Sequence, residues 1–458
     1  MAVYSNALDL IGNTPIVEVK CFDTNGSSLF VKLENQNPGG SIKDRIALFM
    51  IQAAEREGKL KPGGTILEAT AGNTGIGLAL VAKLKGYQLK LVIPDKMSRE
   101  KIQHLRALGA ECIITRTDVM KGDPEYYQDM AERIANETGA YYVNQFNNPA
   151  NPLAHESGTG PEIWSQMNHN LDAVVVGVGS SGTLTGLSRF FSKVAPHVQM
   201  VLADPAGSVL KEFVDTGKIT KEAGSWLVEG IGEDFIPPIA DFSRCKHAYS
   251  ITDEESFFYG RELLAKEGIL AGSSSGTLVA SALQYCKAQT SPKRVLTFIC
   301  DNGNKYLSKM YNDYWMRDQG FIKRVAKGNL EDLISRKKEE GSVVSVAPTD
   351  NLNTAYGRMK LYDVSQLPVL ENDKIVGIID ESDILLTVFG GDQKFSTKVS
   401  AVMTTNLKTV SPATSLEEAM EFFKKGLVVI VENKGTFLGL ITQIDVLNFL
   451  RNRNLAKS

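Results

Sequence analysis

From Leu10 to Phe321 the chain alternates short apolar runs, which end in Gly-rich or polar loops, with amphipathic stretches. A run such as Ala173-Val174-Val175-Val176 has no polar alternation, so both of its faces must be covered. A parallel sheet with crossover helices does this, and the pattern predicts α/β architecture. Strands are expected at Thr65–Glu68, Leu89–Pro94, Cys112–Thr115, Tyr141–Asn144, Ala173–Gly177, Met200–Ala203 and Val295–Cys300. Helices are expected at Ile42–Arg56, Gly75–Lys85, Lys101–Leu108, Tyr127–Thr138 and Leu184–Lys193. Open parallel sheets bind ligands at the carboxyl ends of their strands, so the loops after these runs are the places to search.

The texture changes near Ile322. Ile322–Glu340 is charged and helix-prone, ending in Arg336-Lys337-Lys338-Glu339-Glu340, and reads as a solvated linker helix. An internal repeat follows. Val346-Ala347-Pro348 is echoed by Val410-Ser411-Pro412, and Gly377-Ile378-Ile379-Asp380 by Gly439-Leu440-Ile441-Thr442. Two such units of about 60 residues pack on one another, because neither buries its apolar face alone. The expected division is 1–322, a linker at 323–340, and 341–458.

Composition excludes several classes. With 43% hydrophobic and 22% charged residues the chain is globular and not mainly disordered. A net charge of −3 gives no electrostatic reason to expect nucleic acid as a partner. No apolar run approaches the ~20 residues that span a bilayer, and Met1–Asn6 lacks a basic region followed by an apolar stretch. The five cysteines are scattered without a Cys-x-x-Cys spacing, and the five histidines are equally dispersed. Neither a disulfide framework nor a metal site is expected. The expectation is a cytoplasmic protein with reduced thiols.

Four motifs sit at strand ends. In Asn37-Pro38-Gly39-Gly40-Ser41-Ile42-Lys43-Asp44-Arg45, Ser41 and Asp44 have capping-box spacing, which puts Lys43 in the first helical turn. The positive end of the helix dipole lowers a lysine pKa there, and a neutral amine is what an imine-forming lysine needs. Taken alone, Lys43 reads as a surface lysine near a helix start. Glu68-Ala69-Thr70-Ala71-Gly72-Asn73-Thr74-Gly75-Ile76-Gly77 offers N–H groups and hydroxyls to a carboxylate, or is an ordinary turn. Gly177-Val178-Gly179-Ser180-Ser181-Gly182-Thr183 suits a phosphate, and without a closing Gly-Lys-Ser/Thr it is not a nucleoside-triphosphate loop. Cys300-Asp301-Asn302-Gly303-Asn304-Lys305-Tyr306 places a polar pair at a strand end, or makes a plain turn. A lysine, a carboxylate loop and a phosphate cradle together are the inventory that pyridoxal phosphate requires.

These motifs, in this order, resemble the fold-type II pyridoxal-phosphate enzymes, the tryptophan-synthase-β-like family of cystathionine β-synthases and cysteine synthases. Gln145-Phe146-Asn147-Asn148-Pro149-Ala150-Asn151-Pro152 matches another of the family's stretches, and the C-terminal repeat resembles a tandem CBS-domain (Bateman) module. The resemblance implies a two-lobed α/β catalytic domain. It implies that Lys43 carries the cofactor and shuttles the Cα proton. Asn73 would meet the phenolic oxygen, Gly179, Ser180, Ser181, Gly182 and Thr183 the phosphate, and Asn302 the pyridine nitrogen. Thr70, Ala71, Gly72, Asn73, Thr74 and Gln145 would surround the substrate carboxylate. Ala71 and Asn302 stand where the family usually has Ser, and Asp301 offers a second group for the ring nitrogen. Animal relatives carry an N-terminal haem segment; here Leu10-Ile11-Gly12-Asn13-Thr14-Pro15 lies near Met1, and no haem is expected.

The family performs β-replacement. The expected reaction joins L-serine to L-homocysteine, giving L-cystathionine and water; hydrogen sulfide production is a side reaction. Val228-Glu229-Gly230-Ile231-Gly232-Glu233-Asp234-Phe235 and the tail favour this pair, although Glu233 replaces an aromatic residue. Gln145-Phe146 and Gly160-Pro161-Glu162-Ile163-Trp164 lean toward O-acetylserine and sulfide. A nucleotide-sensing scaffold with a decayed catalytic lobe is the alternative of another class. In the tail, Thr442 and Asp445 match a ribose-binding pattern. Asp380 in the first repeat would repel a phosphate, so S-adenosylmethionine fits that position better than an adenine nucleotide with a phosphate tail. A homodimer or homotetramer is expected by resemblance.

Overall fold

The computed structural model describes residues 3–70, 72–95, 97, 99–120, 122–323, 326–389 and 392–455. The chain divides into two units, Met1–Tyr311 and Asn312–Ser458.

Among the described residues the first unit holds ten strands: β1 (Ile16–Val19), β2 (Ser28–Lys32), β3 (Thr65–Ala69), β4 (Gln88–Pro94), β5 (Glu111–Thr115), β6 (Tyr141–Tyr142), β7 (Ala173–Gly177), β8 (Gln199–Pro205), β9 (Cys245–Ile251) and β10 (Arg294–Phe298). One sheet has the order β1-β2-β10-β7-β8-β9, parallel except for the β1–β2 pair. The other is parallel throughout, in the order β5-β4-β3-β6. Each βα crossover delivers a loop to the carboxyl edge of its sheet. Val174, Val175, Leu202 and Leu296 are fully buried in the first sheet. Ile66 and Leu91 of the second pack with Ile46 and Met50 of helix Lys43–Arg56 and Ile76 of helix Asn73–Lys85.

All seven expected strands and five expected helices are present, Ala173–Gly177 and Tyr127–Thr138 with the expected ends and the others with shifted ones. The strand expected at Tyr141–Asn144 stops at Tyr142. The helix expected from Gly75 begins at Asn73. The Ser41/Asp44 capping box does not form. Ser41 Oγ accepts from the Lys43 N–H, and the Asp44 carboxylate turns back to the Gly39 N–H at 2.5 Å. Among the described residues no helix is long and apolar enough to cross a membrane. The five cysteines are free.

The second unit contains both repeats. β11 (Gln366–Glu371) and β12 (Lys374–Asp380) form a hairpin followed by helix Glu381–Val388. β13 (Thr409–Val410), β14 (Val429–Asn433) and β15 (Thr436–Ile441) form a sheet followed by helix Gln443–Leu455. Each repeat has its own core.

The division falls at Tyr311, not at 322, and 323–340 is not a solvated linker helix. Its described helical pieces are short 3₁₀ turns at Leu330–Leu333 and Lys338–Glu340. Leu330, Leu333 and Ile334 are buried with Phe423, Val429 and Ile441 in the core of the second repeat. The Leu330 N–H donates to the Pro412 carbonyl at 3.0 Å. The charged residues masked this apolar triplet in the sequence.

Candidate active site

Lys43 opens its helix directly after a tight turn. Gly40 takes φ +76°, and its N–H donates to Asn37 O at 2.7 Å. The Ile42 N–H donates to Cys300 O at 2.9 Å, which fastens the turn to the end of β10. Lys43 is half-buried. Burial lowers its pKa; Cys300 and Asp301 oppose the shift and Lys101 reinforces it. The direction is that expected from the helix dipole, but the main cause is desolvation. Burial also pushes the Asp44 carboxyl up to about 7.

A buried ionic cluster lies beneath this turn. Arg45 grips Glu34 at 2.7 and 2.8 Å and Glu162 at 2.7 Å, and Lys32 reaches Glu162 at 3.0 Å. Burial works against ionisation of Glu162, yet Arg45 and Lys32 hold it down at about 2. Removing one member would leave an uncompensated buried charge, so the cluster fixes where the helix of Lys43 starts.

The loop expected to meet a carboxylate follows β3. Thr70, Thr74 and Gln145 come together here, all buried. Thr70 Oγ1 accepts from the Gly72 N–H at 3.1 Å, and Thr74 Oγ1 donates to Gln145 Oε1 at 2.8 Å. Gln145 Nε2 points inward, to Glu68 Oε1 at 3.2 Å and Ala69 O at 3.4 Å. Burial pushes the Glu68 carboxyl up to about 8. Gly72 takes φ +125°, and a Cβ there would sit 2.7 Å from the stem of Lys101. Asn73 donates from Nδ2 to Asp301 at 2.7 Å. Ala71 lies outside the described residues.

The loop expected to hold a phosphate joins β7 to helix Gly182–Val194. Ser181 takes φ +70°, and the helix begins with N–H groups that have no partner within the helix. A Cβ on Gly182 would lie 1.8 Å from Asn151 Oδ1, and one on Gly179 would lie 2.7 Å from Gly230 O. Only glycine fits at either position. Ser180 Oγ accepts from Asn151 Nδ2 at 3.0 Å, and Thr183 Oγ1 meets His155 Nε2 at 3.3 Å. Burial, with Arg45 and Lys43 nearby, keeps His155 neutral. Asn151 and His155 brace the cradle; Asn151 stands in the Gln145–Pro152 stretch, without a role assigned to it there, and nothing in the local sequence marks His155. The π-helical turn His155–Thr159 aims the imidazole, and such turns gather at functional sites. Glycines, three hydroxyls and a helix start match a phosphate monoester.

Asn302 caps the 3₁₀ turn Gly303–Tyr306 through Oδ1, which accepts from the Asn304 N–H at 2.9 Å. Its NH₂ end is therefore the one available to a ring nitrogen. Asp301 is fully buried, and its Oδ2 accepts from Asn73 and from the Tyr306 hydroxyl, each at 2.7 Å. Tyr306 accepts from Lys101 at 2.9 Å, and Lys101 pairs with Glu229 at 2.7 Å. Sequence reasoning missed this chain because its members come from four separate segments.

In the second unit, the Thr442 N–H donates to Asp445 Oδ2 at 2.7 Å and Ser335 Oγ donates to Oδ1. Both sequence-expected residues line a cavity of about 730 Å³ with Trp315, Arg336 and Asp363. Asp380 caps its own helix by accepting from the Asp383 N–H at 2.9 Å.

Residues 7–301 match the sequence profile of the pyridoxal-phosphate dependent enzymes, and 331–390 and 399–452 match that of the CBS domain. The chain is 34% identical over 465 residues to a cystathionine β-synthase of Dictyostelium discoideum, covering 98% of this chain and 92% of that protein. Over 311 residues it is 40% identical to the O-acetylserine dependent cystathionine β-synthase of Bacillus subtilis, covering 68% of this chain and 98% of that protein. The crystal structure of the O-acetylserine dependent cystathionine β-synthase from Helicobacter pylori superposes with a TM-score of 0.62 at 37% identity, over 68% of this chain and 99% of that one.

Proposed function

The chain belongs to the pyridoxal-phosphate-dependent enzymes and, along nearly its whole length, to the cystathionine β-synthases, and on that premise we propose that it condenses L-serine with L-homocysteine to L-cystathionine and water. The observation that carries this reading is Lys43, held with a lowered pKa at the start of its helix while the same unit supplies a carboxylate loop and a glycine-only cradle. Pyridoxal phosphate, when bound, supplies the electron sink for breaking the Cα–H and Cβ–O bonds.

This chain's residues do the rest. Ser180, Ser181, Thr183 and the N–H groups from Gly179 to Thr183 hold the phosphate. Asn73 meets the phenolic oxygen. Asn302 presents a neutral donor to the ring nitrogen, which limits charge withdrawal and favours elimination over transamination. Thr70, Gly72, Asn73, Thr74 and Gln145 surround the substrate carboxylate, with Ala71 in the same loop. Lys43 Nζ, its pKa lowered by burial, takes the α-proton and returns it.

The test is a set of paired-substrate assays on cofactor-loaded protein, for wild type and Lys43→Ala. L-serine with L-homocysteine is expected to give cystathionine, and Lys43→Ala to abolish it. Identity to the Bacillus enzyme favours a second reading, in which acetate leaves O-acetylserine. Arms with O-acetylserine plus homocysteine or sulfide decide it: turnover confined to them would replace serine as the substrate.

In the second unit, the proposed ligand of Thr442 and Asp445 is S-adenosylmethionine. Asp318 is paired with Arg451 at 3.0 Å, and Asp363 and Asp445 still outnumber Arg336 around the cavity, which favours a cationic adenosyl compound over an adenine nucleotide with a phosphate tail. The expected assembly is a homodimer or homotetramer, to be read by light scattering. No haem is part of this reading, so the purified protein should lack a Soret band.

A further inference from the structure

We propose that Lys305 is a positioning residue that fixes which end of the Asn73 amide faces the cofactor. An Asn carboxamide is nearly symmetric in shape, and its neighbours decide which end donates. Lys305 Nζ lies 3.0 Å from Asn73 Oδ1, 3.2 Å from Gly39 O and 3.1 Å from Gly40 O. An ammonium has three donors and no acceptor, so the Asn73 atom that faces it must be the oxygen. On the other side Asn73 Nδ2 lies 2.7 Å from Asp301 Oδ2, and a carboxylate only accepts.

The amide is thus set from both ends by opposite charges. One N–H goes to Asp301 and the second remains for a cofactor oxygen. Lys305 also ties two loops together, because Gly39 and Gly40 lead into Lys43 while Asn73 belongs to the carboxylate loop. Lys305 is buried, and the three oxygens that meet it are uncharged. Burying an ammonium in this way is unfavourable unless the position requires it. Without Lys305 only Asp301 opposes the turned-over amide, in which Oδ1 would face the phenolic oxygen, acceptor against acceptor.

The proposal rests on the assignment of Asn73 to that oxygen, so the experiment separates the two. Cofactor affinity, by equilibrium dialysis, and the absorption spectrum of the bound cofactor are measured for wild type, Lys305→Met, Asn73→Ala and the double variant. Loss of one charge-assisted hydrogen bond predicts cofactor binding on the order of 10- to 100-fold weaker in Lys305→Met, with absorbance moving from the visible band to the near-ultraviolet. In the Asn73→Ala background the same substitution should add nothing. Wild-type affinity and spectrum in Lys305→Met would overturn the proposal and leave the Asn73 assignment standing. Additive effects would overturn it too, since Lys305 would then act by another route. Wild-type behaviour of Asn73→Ala would overturn the assignment and the proposal together. If methionine prevents folding, Lys305→Gln enters the same cycle, with the same outcomes deciding.

Discussion

At Gly182, 1.8 Å separates a would-be methyl group from Asn151 Oδ1. Asn151 also donates to Ser180 and to the Gln145 carbonyl, so it cannot retreat without disturbing both loops. Gly182→Ala should therefore lower cofactor occupancy and turnover by at least about tenfold, a loss of 1.4 kcal/mol or more. Gly357→Ala is the control: it meets nothing within 4 Å and lies in helix Leu352–Tyr362, where alanine should add up to about 1 kcal/mol of stability. Glu68 makes a second prediction. Its carboxyl has a value near 4.5 in an unfolded chain and about 8 when buried. Between those values the folded state holds a proton that the unfolded chain has released, so stability falls as pH rises through that window. The melting temperature of Glu68→Gln should decline less than that of wild type over the same range. The sequence exposes Lys43, Thr70, Asn73 and Thr74 because each stands in a small-residue motif at a strand end. Asn151, Lys305 and Glu229 stand in sequence motifs without a role assigned to them, and His155 in none, because their roles come from contacts between segments far apart along the chain. Ser41 and Asp44 show the opposite fault: the spacing of a capping box is present, but Gly39 offers the carboxylate a nearer N–H.

Among the elements, buried parallel strands such as β7 and β8 are the most legible, since both faces are apolar. β1, β2 and β9 are not, because polar residues interrupt them at the sheet edge or beside it. Cys245–Ile251, with Lys246, His247 and Ser250, does not read as a strand until Met200 and Val201 pair with it. The segment 323–340 is the clearest misreading. Leu333 has 6% exposure in a stretch whose charges suggest a solvated helix. Leu333→Ala should remove about 2–5 kcal/mol from the second repeat. Hydrogen exchange in Val429–Asn433 and Thr436–Ile441 would rise accordingly. Unchanged exchange would return the segment to a linker role.

For the molecule as a whole, the two units are separately legible from the change of texture and the internal repeat, but the border between them is not. Asn312–Phe321 resembles the catalytic part in sequence, yet its helix Asp313–Asp318 folds with the second unit. Trp315 of that helix lines the cavity of Thr442 and Asp445, which makes it a reporter of occupancy. The chain has three tryptophans, so Trp164→Phe with Trp226→Phe leaves Trp315 alone. S-adenosylmethionine should change the emission of this variant, and Asp445→Ala should remove the change. The core that Leu330, Leu333 and Ile334 share with β14 and β15 has a consequence for synthesis. These three residues leave the ribosome before the first repeat, and their partners after it. Roughly 100 residues separate Leu330 from Val431, or about 5–20 s of translation. Through that interval the apolar triplet has no core to enter, while the first repeat folds within the loop. A message that stops short of the second repeat would leave the triplet bare for the life of the polypeptide, so such a truncation should yield an aggregating chain rather than a shorter, unregulated enzyme.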